Sequence, residues 1–334
     1  MNAYVPASLM DGFGRRISYV RLSVTDRCDL RCTYCMSEHP TFLPRRDLLS
    51  FEEMERLALF LVSSGVERLR ITGGEPLVRK GVDDFLVRLG EQGRTIGLKE
   101  LTLTTNGSLL ERFVPALVAA GIRRINVSCD SLDPAVYRRV TRGGDLAKVM
   151  AGIEAAQAAG LQVKLNVVAL QQDNRTDIPA IISFAHGRGM DVSLIETMPL
   201  GEDIAREAQF VSLADIMADL QSFWTMTPLV DHTGGPARYH HVNETGGRLG
   251  LITPLSHNFC DTCNRVRVTC TGQMYMCLGQ DDFVDLRPAL RTRDDAALGD
   301  VLADALRHKP RAHDFAIAAG TGHRPSRTMS LTGG

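Results

Sequence analysis

The chain has almost no net charge: 38 Lys and Arg stand against 39 Asp and Glu, a formal −1. That balance argues against an overall polyanion-binding surface, so any phosphate chemistry must rest on local basic residues and no nucleic-acid partner is expected. Long apolar runs are missing as well, since none reaches the ~18 residues needed to cross a bilayer. The start, MNAYVPASLMDGFGRR, lacks the apolar core of a signal peptide, so the protein is expected to stay in the cytoplasm with no membrane association. No internal repeat or low-complexity tract appears. The 8 cysteines, without an export signal, then fit reduced thiols and metal binding rather than a disulfide framework. What remains is ordinary for a globular protein, with 44% hydrophobic and 23% charged residues, and 334 residues are enough for one large domain and a smaller appendage.

Six of the cysteines fall into two triplets. The first, Cys28, Cys32 and Cys35, is spaced C-x3-C-x2-C directly after the strand-like run Tyr19 to Thr25. Three thiols so close cannot all pair as disulfides. Three thiolates on a 4Fe-4S cube leave one iron free for an outside ligand; a zinc knuckle using His39 as a fourth ligand is the competing reading on spacing alone. A C-x3-C-x-aromatic-C loop after a first strand resembles the radical S-adenosylmethionine (SAM) superfamily. The resemblance implies that the open iron chelates SAM, that cleavage of SAM yields a 5'-deoxyadenosyl radical, and that Tyr34 lies near the adenine.

After this loop Ser50 and Glu53 form an S-x-x-E capping box, and Phe51, Met54, Leu57, Ala58 and Leu61 recur at helical spacing, predicting a helix from about Phe51 to Ser63. Arg68 to Thr72 reads as a strand ending in Gly73-Gly74-Glu75-Pro76. Leu101 to Thr105, Arg124 to Cys129, Val163 to Ala169 and Val192 to Thr197 follow as strands separated by helical stretches. Six βα units predict an α/β fold, a partial (β/α)6 TIM-like barrel with an open side and its reactive groups at the carboxyl ends of the strands.

Alternation sorts the strand residues. Arg21, Ser23 and Thr25 share one face against Val20, Leu22 and Val24; Arg70 and Thr72, Thr102 and Thr104, Asn126 and Ser128, and Lys164 and Asn166 repeat the pattern. The apolar faces are expected to pack on the helices, leaving a polar barrel interior suited to a polar ligand. Gly73-Gly74-Glu75-Pro76, a plain turn by itself, resembles the superfamily element that holds the SAM amino group, and Gly74, Ser128 and Met198 are implied to complete the SAM pocket. Past about Gly201 the rhythm fades: Leu213 to Phe223 reads as a helix, and Ala237 to Val242 with Arg248 to Thr253 as a hairpin. The expected division is a barrel over 1–220 and a C-terminal α+β extension over 221–334.

The second triplet, Cys260, Cys263 and Cys277, is spaced C-x2-C-x13-C, with Cys270 as a candidate fourth ligand. Spacing leaves zinc and an iron-sulfur cluster equally open. Arg265 and Arg267 follow at once, and two arginines on one side of an extended segment suit phosphate oxygens. This CxxC-N-R-x-R, the distal cysteine, the terminal Gly333-Gly334, TTNG at 104–107, NVSCDSLD at 126–133 and GLITP at 250–254 together resemble the GTP 3',8-cyclase family of molybdenum cofactor biosynthesis. The resemblance implies two 4Fe-4S clusters and SAM as cofactors and GTP as substrate, with guanine on the open iron of the second cluster. It implies GTP contacts at Arg21, Arg70, Thr104, Lys164, Arg265, Val266 and Arg267, and catalytic roles for Arg265, Arg267, Gly333 and Gly334. It also implies an external electron donor of flavodoxin or ferredoxin type, a downstream cyclic pyranopterin monophosphate synthase, and room for a homodimer. The competing functions are a SAM radical enzyme acting on a peptide or other substrate, and a non-catalytic metal-binding regulator.

Two departures from the family pattern stand out. Ser193-Leu194-Ile195-Glu196 replaces an R-F-I-E pattern, which removes one basic group, and Cys129 replaces a small apolar residue; Cys129 and Cys270 read as buried structural thiols. Deletion of Gly333 and Gly334 is expected to leave both clusters in place and abolish cyclisation. Full activity of the truncated protein in a GTP turnover assay is the outcome that removes this idea.

Overall fold

A computed structural model of the chain describes residues 8–200, 208–230, 235–313, 315, 325 and 327–333. Six parallel strands form the centre of one sheet: β1 (Tyr19–Ser23), β2 (Arg68–Thr72), β3 (Glu100–Thr105), β4 (Arg124–Ser128), β5 (Gln162–Ala169) and β6 (Asp191–Glu196). Each lies within about two residues of its expected position. Past the end of β1 at Ser23 one further bond ties the chain to β2, from the Val24 amide to the Thr72 carbonyl at 2.9 Å.

The strands are joined by α1 (Phe51–Ser63), α2 (Val82–Thr95), α3 (Leu110–Ala119), α4 (Pro134–Thr141), α5 (Leu146–Ala158) and α6 (Ile178–Gly187). Helix α1 begins where its capping box places it: Ser50 Oγ accepts from the Glu53 amide and the Glu53 carboxylate accepts from the Ser50 amide. Two orphan donors of the first turn are thereby satisfied. Met54, Leu57, Ala58 and Leu61 face inward and meet Val20, Leu22, Leu69 and Ile71 from the outer face of the sheet, all buried. The apolar strand faces therefore do pack on the helices.

The C-terminal extension does not stand apart from this sheet. Its strands β9 (Gly247–Ile252) and β10 (Arg265–Val268) add in parallel to opposite edges, β9 to β6 and β10 to β1. Antiparallel partners continue outward: β8 (Arg238–Val242) and β7 (Met226–Pro228) beyond β9, and β11 (Gln273–Tyr275) and β12 (Phe283–Asp285) beyond β10. The expected hairpin is β8–β9, within a residue or two of its predicted ends. The result is one 12-stranded sheet with the six βα units at its centre. Helix α7 (Leu213–Leu220) is shorter than its predicted span, and α8 (Arg287–Thr292), α9 (Asp295–Arg307) and α10 (Met329–Thr332) complete the described helices. None is long and apolar enough to cross a membrane.

Because the capping box is a local device, its loss is testable without touching the site. Ser50→Ala is expected to lower stability by about 1 kcal/mol, read as an earlier urea midpoint; an unchanged midpoint would show that sheet packing alone holds the start of α1.

Candidate active site

One cavity opens on the polar face of the sheet, at the carboxyl ends of the central strands, and both cysteine triplets line it. The first triplet sits on the loop after β1. That loop is tied to the end of α4 by bonds from the Arg31 amide to Thr141 O (3.0 Å) and from the Thr33 amide to Val140 O (2.9 Å). It is backed by the turn after β2: a Cβ on Gly74 would stand 2.4 Å from the Arg27 carbonyl oxygen, so this approach needs glycine. The Glu75 amide donates to that same carbonyl at 2.8 Å.

The Glu75 carboxylate reaches sideways to the next strand, accepting from Thr105 Oγ1 (2.8 Å) and the Asn106 amide (2.7 Å). Burial pushes its pKa up to about 7. Asp130, held up at about 6 by burial, accepts from the Tyr34 hydroxyl at 2.7 Å and from the Val168 amide at 2.8 Å. The motifs after β1, β2, β3 and β4 are thus wired together through two buried carboxylates.

The second triplet is carried by the edge strands. Cys260 and Cys263 precede β10, Cys277 follows β11, and the Cys263 amide bonds the Cys260 carbonyl at 3.0 Å. Arg15, itself paired with Asp11 at 2.5 Å, donates to the Cys260 carbonyl at 2.6 Å and to Pro310 O at 2.7 Å, fixing this loop to the N-terminal segment.

The thiols differ in electrostatics. Burial pushes Cys28 up to about 12 and Cys32 well above the ordinary thiol value, and it raises Cys260 and Cys277. Burial raises Cys263 too, but the cations of Arg265 and Lys309 outweigh it and its pKa falls. A metal that takes these thiols as ligands must displace their protons. Among the described residues no three His, Cys, Asp or Glu side chains come close enough to hold one metal ion. In an iron-sulfur cube each thiolate binds a different iron, whereas a structural zinc gathers four ligands on one ion. The rival zinc ligands are elsewhere: His39 is exposed, and Cys270 is buried beside Asp26 and Arg79, outside the cavity lining. Cys129 is buried with its Sγ toward Ser131 O.

The parallel pairing of β1 sets the basic groups. Arg21 stands opposite Arg70 on one side and Arg267 on the other, placing three guanidinium-bearing residues in a row across neighbouring strands. Burial, then the charges of Arg267 and Arg70, hold the Arg21 pKa well below its usual value; burial, then Arg265 and Arg327, bring Arg267 down to about 10. Lys164 is pushed down to about 7 by burial and then by Arg70 and Arg124, with its Nζ 3.3 Å from the Tyr239 hydroxyl. Among the described residues the lining contains one carboxylate, Glu196, and it is committed to the amides of Leu213, Leu255 and Ser256. Like charges so concentrated, at a site where Thr104 Oγ1, both Asn126 side-chain atoms, Asn166 Oδ1 and Arg70 Nε have no hydrogen-bond partner among the described residues, call for a polar anionic ligand.

Tyr34, Gly74, Ser128 and Met198 line the same cavity, as do Thr104, Arg265 and Val266. Gly333 lies at its wall: Arg267 Nη1 donates to the Gly333 carbonyl and, at 3.3 Å, to that of Thr332. A Cβ on Gly333, whose φ is +80°, would fall 1.8 Å from Thr72 Oγ1. Gly334 lies outside the described residues. Several contributors carried no signal in the sequence reading. Tyr19 lies under Arg70 and Tyr239 beside Lys164, and alternation along β1 and β8 could have placed both. Arg15, Lys309 and Arg327 look like solvated charge until the fold buries them. Ser193 is fully buried between Asn166 and Gly250, and β6 itself, Asp191–Glu196, carries no cation in place of the missing arginine.

Residues 22–185 match the model of the radical SAM superfamily and residues 190–315 that of Molybdenum Cofactor Synthesis C. The GTP 3',8-cyclase of Caulobacter vibrioides is 60% identical over 329 residues, covering 98% of this chain and 94% of that protein. Those of Rhizobium leguminosarum bv. trifolii and Agrobacterium fabrum are 56% and 55% identical, over 98% of this chain and 94% and 95% of theirs. The chain belongs to the GTP 3',8-cyclase family. Solved structures share this fold at low sequence identity. Streptococcus suis SuiB bound to S-adenosylmethionine is similar with a TM-score of 0.63 at 15% identity, over 89% of this chain and 67% of that one. Native anSMEcpe with bound AdoMet reaches 0.50 at 17% identity, over 62% and 60%. Both support the fold alone.

The depressed Lys164 pKa has a consequence for stability. Between about 7 and the ordinary lysine value of 10.5 the unfolded chain holds a proton that the folded chain has lost, so the group's destabilising effect is full below 7 and fades as pH rises. Lys164→Met is expected to be more stable than the wild-type chain near pH 6, with the gap in urea midpoint closing toward pH 10; a gap independent of pH counts against the shift.

Proposed function

We infer that the protein is a GTP 3',8-cyclase of the radical SAM type, carrying out the first step of molybdenum cofactor biosynthesis with SAM and iron-sulfur clusters as cofactors. The observation that carries this reading is the pair of three-cysteine loops on one cavity, joined by the row Arg267, Arg21 and Arg70. Cys28, Cys32 and Cys35 would hold the cluster that binds SAM, with Tyr34, Gly74, Ser128 and Met198 around the cofactor; Cys260, Cys263 and Cys277 would hold the cluster that takes the guanine ring. Bound there, SAM and its cluster supply a 5'-deoxyadenosyl radical, the agent that removes the ribose 3' hydrogen so that C3' closes on C8 of guanine.

The chain's own part is to position and to exclude. Arg21, Arg70, Lys164 and Arg267 compensate the triphosphate, which removes their mutual repulsion and raises the proton affinity of Lys164 when the nucleotide enters. Thr104, Asn126 and Asn166 offer the polar atoms left without partners to a nucleotide lying along the barrel wall. Arg265, over the Phe259 ring at 4.9 Å and near Cys263 Sγ, and Val266 line the cavity at the second triplet. Leu200, Ile252 and Met329 contribute apolar wall that keeps water and competing hydrogen donors from the reacting ribose. Gly333, whose carbonyl accepts from Arg267, would serve catalysis together with Gly334. Reducing equivalents come from a flavodoxin- or ferredoxin-type donor in the cytoplasm, and the product passes to a cyclic pyranopterin monophosphate synthase.

The test is anaerobic iron and sulfide content of the reconstituted protein, then dithionite, SAM and GTP with product analysis. About eight irons per chain are expected from two four-iron clusters, with 5'-deoxyadenosine and a cyclised guanosine product. Cys28→Ser, Cys32→Ser or Cys35→Ser should end SAM cleavage. Cys260→Ser, Cys263→Ser or Cys277→Ser should spare uncoupled cleavage and lose cyclisation; cyclisation surviving in these three would make the second cluster structural. Four irons plus one zinc, with SAM cleaved and GTP untouched, would send the search to another substrate.

A further inference from the structure

Lys309 is a lysine only 3% exposed, on the segment that leaves α9 and crosses behind the second triplet. Its ammonium has three donors and meets three acceptors: the Arg265 carbonyl at 3.0 Å, the Met276 carbonyl at 2.5 Å and the Cys263 Sγ at 3.7 Å. Arg265 lies two residues past Cys263 and Met276 immediately before Cys277, so one cation ties together the two segments that carry the triplet. Among the described residues it forms no ion pair with a carboxylate. A buried ammonium needs an opposite charge nearby, and three thiolates on a 4Fe-4S cube leave the assembly anionic.

The balance of charge around the two triplets differs. Beside the second stand Lys309, Arg265, with Nη2 4.0 Å from Cys263 Sγ, and Arg15 on the Cys260 carbonyl. Beside the first, one cation, Arg31 on the Cys28 carbonyl at 2.6 Å, stands against three carboxylates: Asp29, with Oδ1 3.8 Å from Cys28 Sγ, Glu75, and Asp130 on the Tyr34 hydroxyl. Adding an electron makes a cluster more negative. Cations and N–H donors to its sulfurs favour that change, and neighbouring carboxylates oppose it.

We propose that Lys309 is a positioning residue for the second cluster, whose buried ammonium clamps the loops of Cys263 and Cys277 and sets that cluster's reduction potential above the potential of the first. The inference rests on the reading that the second triplet binds a cluster, and the test separates the two. In the full-length chain carrying Cys28→Ser, Cys32→Ser and Cys35→Ser together, the second cluster alone gives the low-temperature EPR signal of the reduced protein. If that protein shows no cluster signal at all, the reading itself fails. If the signal is present, its midpoint potential is compared with those after adding Lys309→Met, Lys309→Gln or Lys309→Arg.

The expected order runs from wild-type Lys309 and Lys309→Arg at the most positive potential, through Lys309→Gln, to Lys309→Met at the most negative. Iron release to a chelator should be about tenfold faster in Lys309→Met, the scale on which outer partners of metal ligands act. Loss of the cluster in the Met and Gln variants but not in Lys309→Arg reads the same way, as a demand for the cation. An unmoved potential in Lys309→Met and Lys309→Gln, or loss of the cluster in all three variants including Lys309→Arg, would leave Lys309 as packing and overturn the proposal. So would a wild-type first cluster, measured with Cys260→Ser, Cys263→Ser and Cys277→Ser in place, that reduces at the higher potential.

Discussion

The parallel pairing of β1 with β10 is the contact on which the site depends. It sets Tyr19 opposite Arg265 and Arg21 opposite Arg267, and so brings the segment after the second cysteine pair alongside the strand that feeds the first triplet. A sheet register fixes every side chain on both strands, because a slip of one residue turns each to the other face. A slip here would send Arg265 and Arg267 into the apolar layer. The bond from Asn264 Nδ2 to Ser18 Oγ at 2.9 Å, and those of the Ser18 and Tyr19 amides to the Asn264 carbonyl, lock the register at its start.

This register concentrates positive charge where the fold offers little to offset it. Arg21, Arg70, Arg267 and Lys164 share one wall, and the depressed proton affinities of Arg21, Arg267 and Lys164 record the burial and crowding of like charges in that arrangement. Stability is given up in the free protein and recovered when an anionic ligand enters. The carbonyls of Thr332 and Gly333 take up part of the Arg267 donor capacity, so the end of the chain and the cation row belong to one electrostatic unit.

Much of this was legible in the sequence wherever the deciding forces are local. The capping box of Ser50 and Glu53 starts α1 at the expected residue, because it depends on atoms three residues apart. Alternation placed Arg21, Arg70, Thr104, Asn126, Ser128 and Lys164 on one face, and the cavity is lined by all of them. What could not be read was the joining of the C-terminal strands to both edges of the barrel sheet, since edge pairing is settled by the far partner and not by the strand's own pattern. For the same reason nothing in the sequence marks Arg15, Lys309 and Arg327 as buried. Arg327 is in fact buried, bonding Asp281 at 2.8 Å and the Leu278 carbonyl at 2.6 Å while covering the Tyr275 ring at 4.1 Å. Only the fold shows that each of these cations pins the C-terminal part of the chain to the second triplet.

The separation of β1 from β10 along the chain also orders how the molecule comes together. The loop of Cys28, Cys32 and Cys35 closes on β2, β3 and α4, all reached within the first half of the sequence. The contact of Ser18 with Asn264 spans 246 residues. Contacts that distant form late, after the loops between them are already organised. During synthesis the first triplet therefore has its scaffold well before the second acquires its neighbours. A chain halted partway would own one half of the cavity and leave the free edge of β1 open to pairing with another molecule.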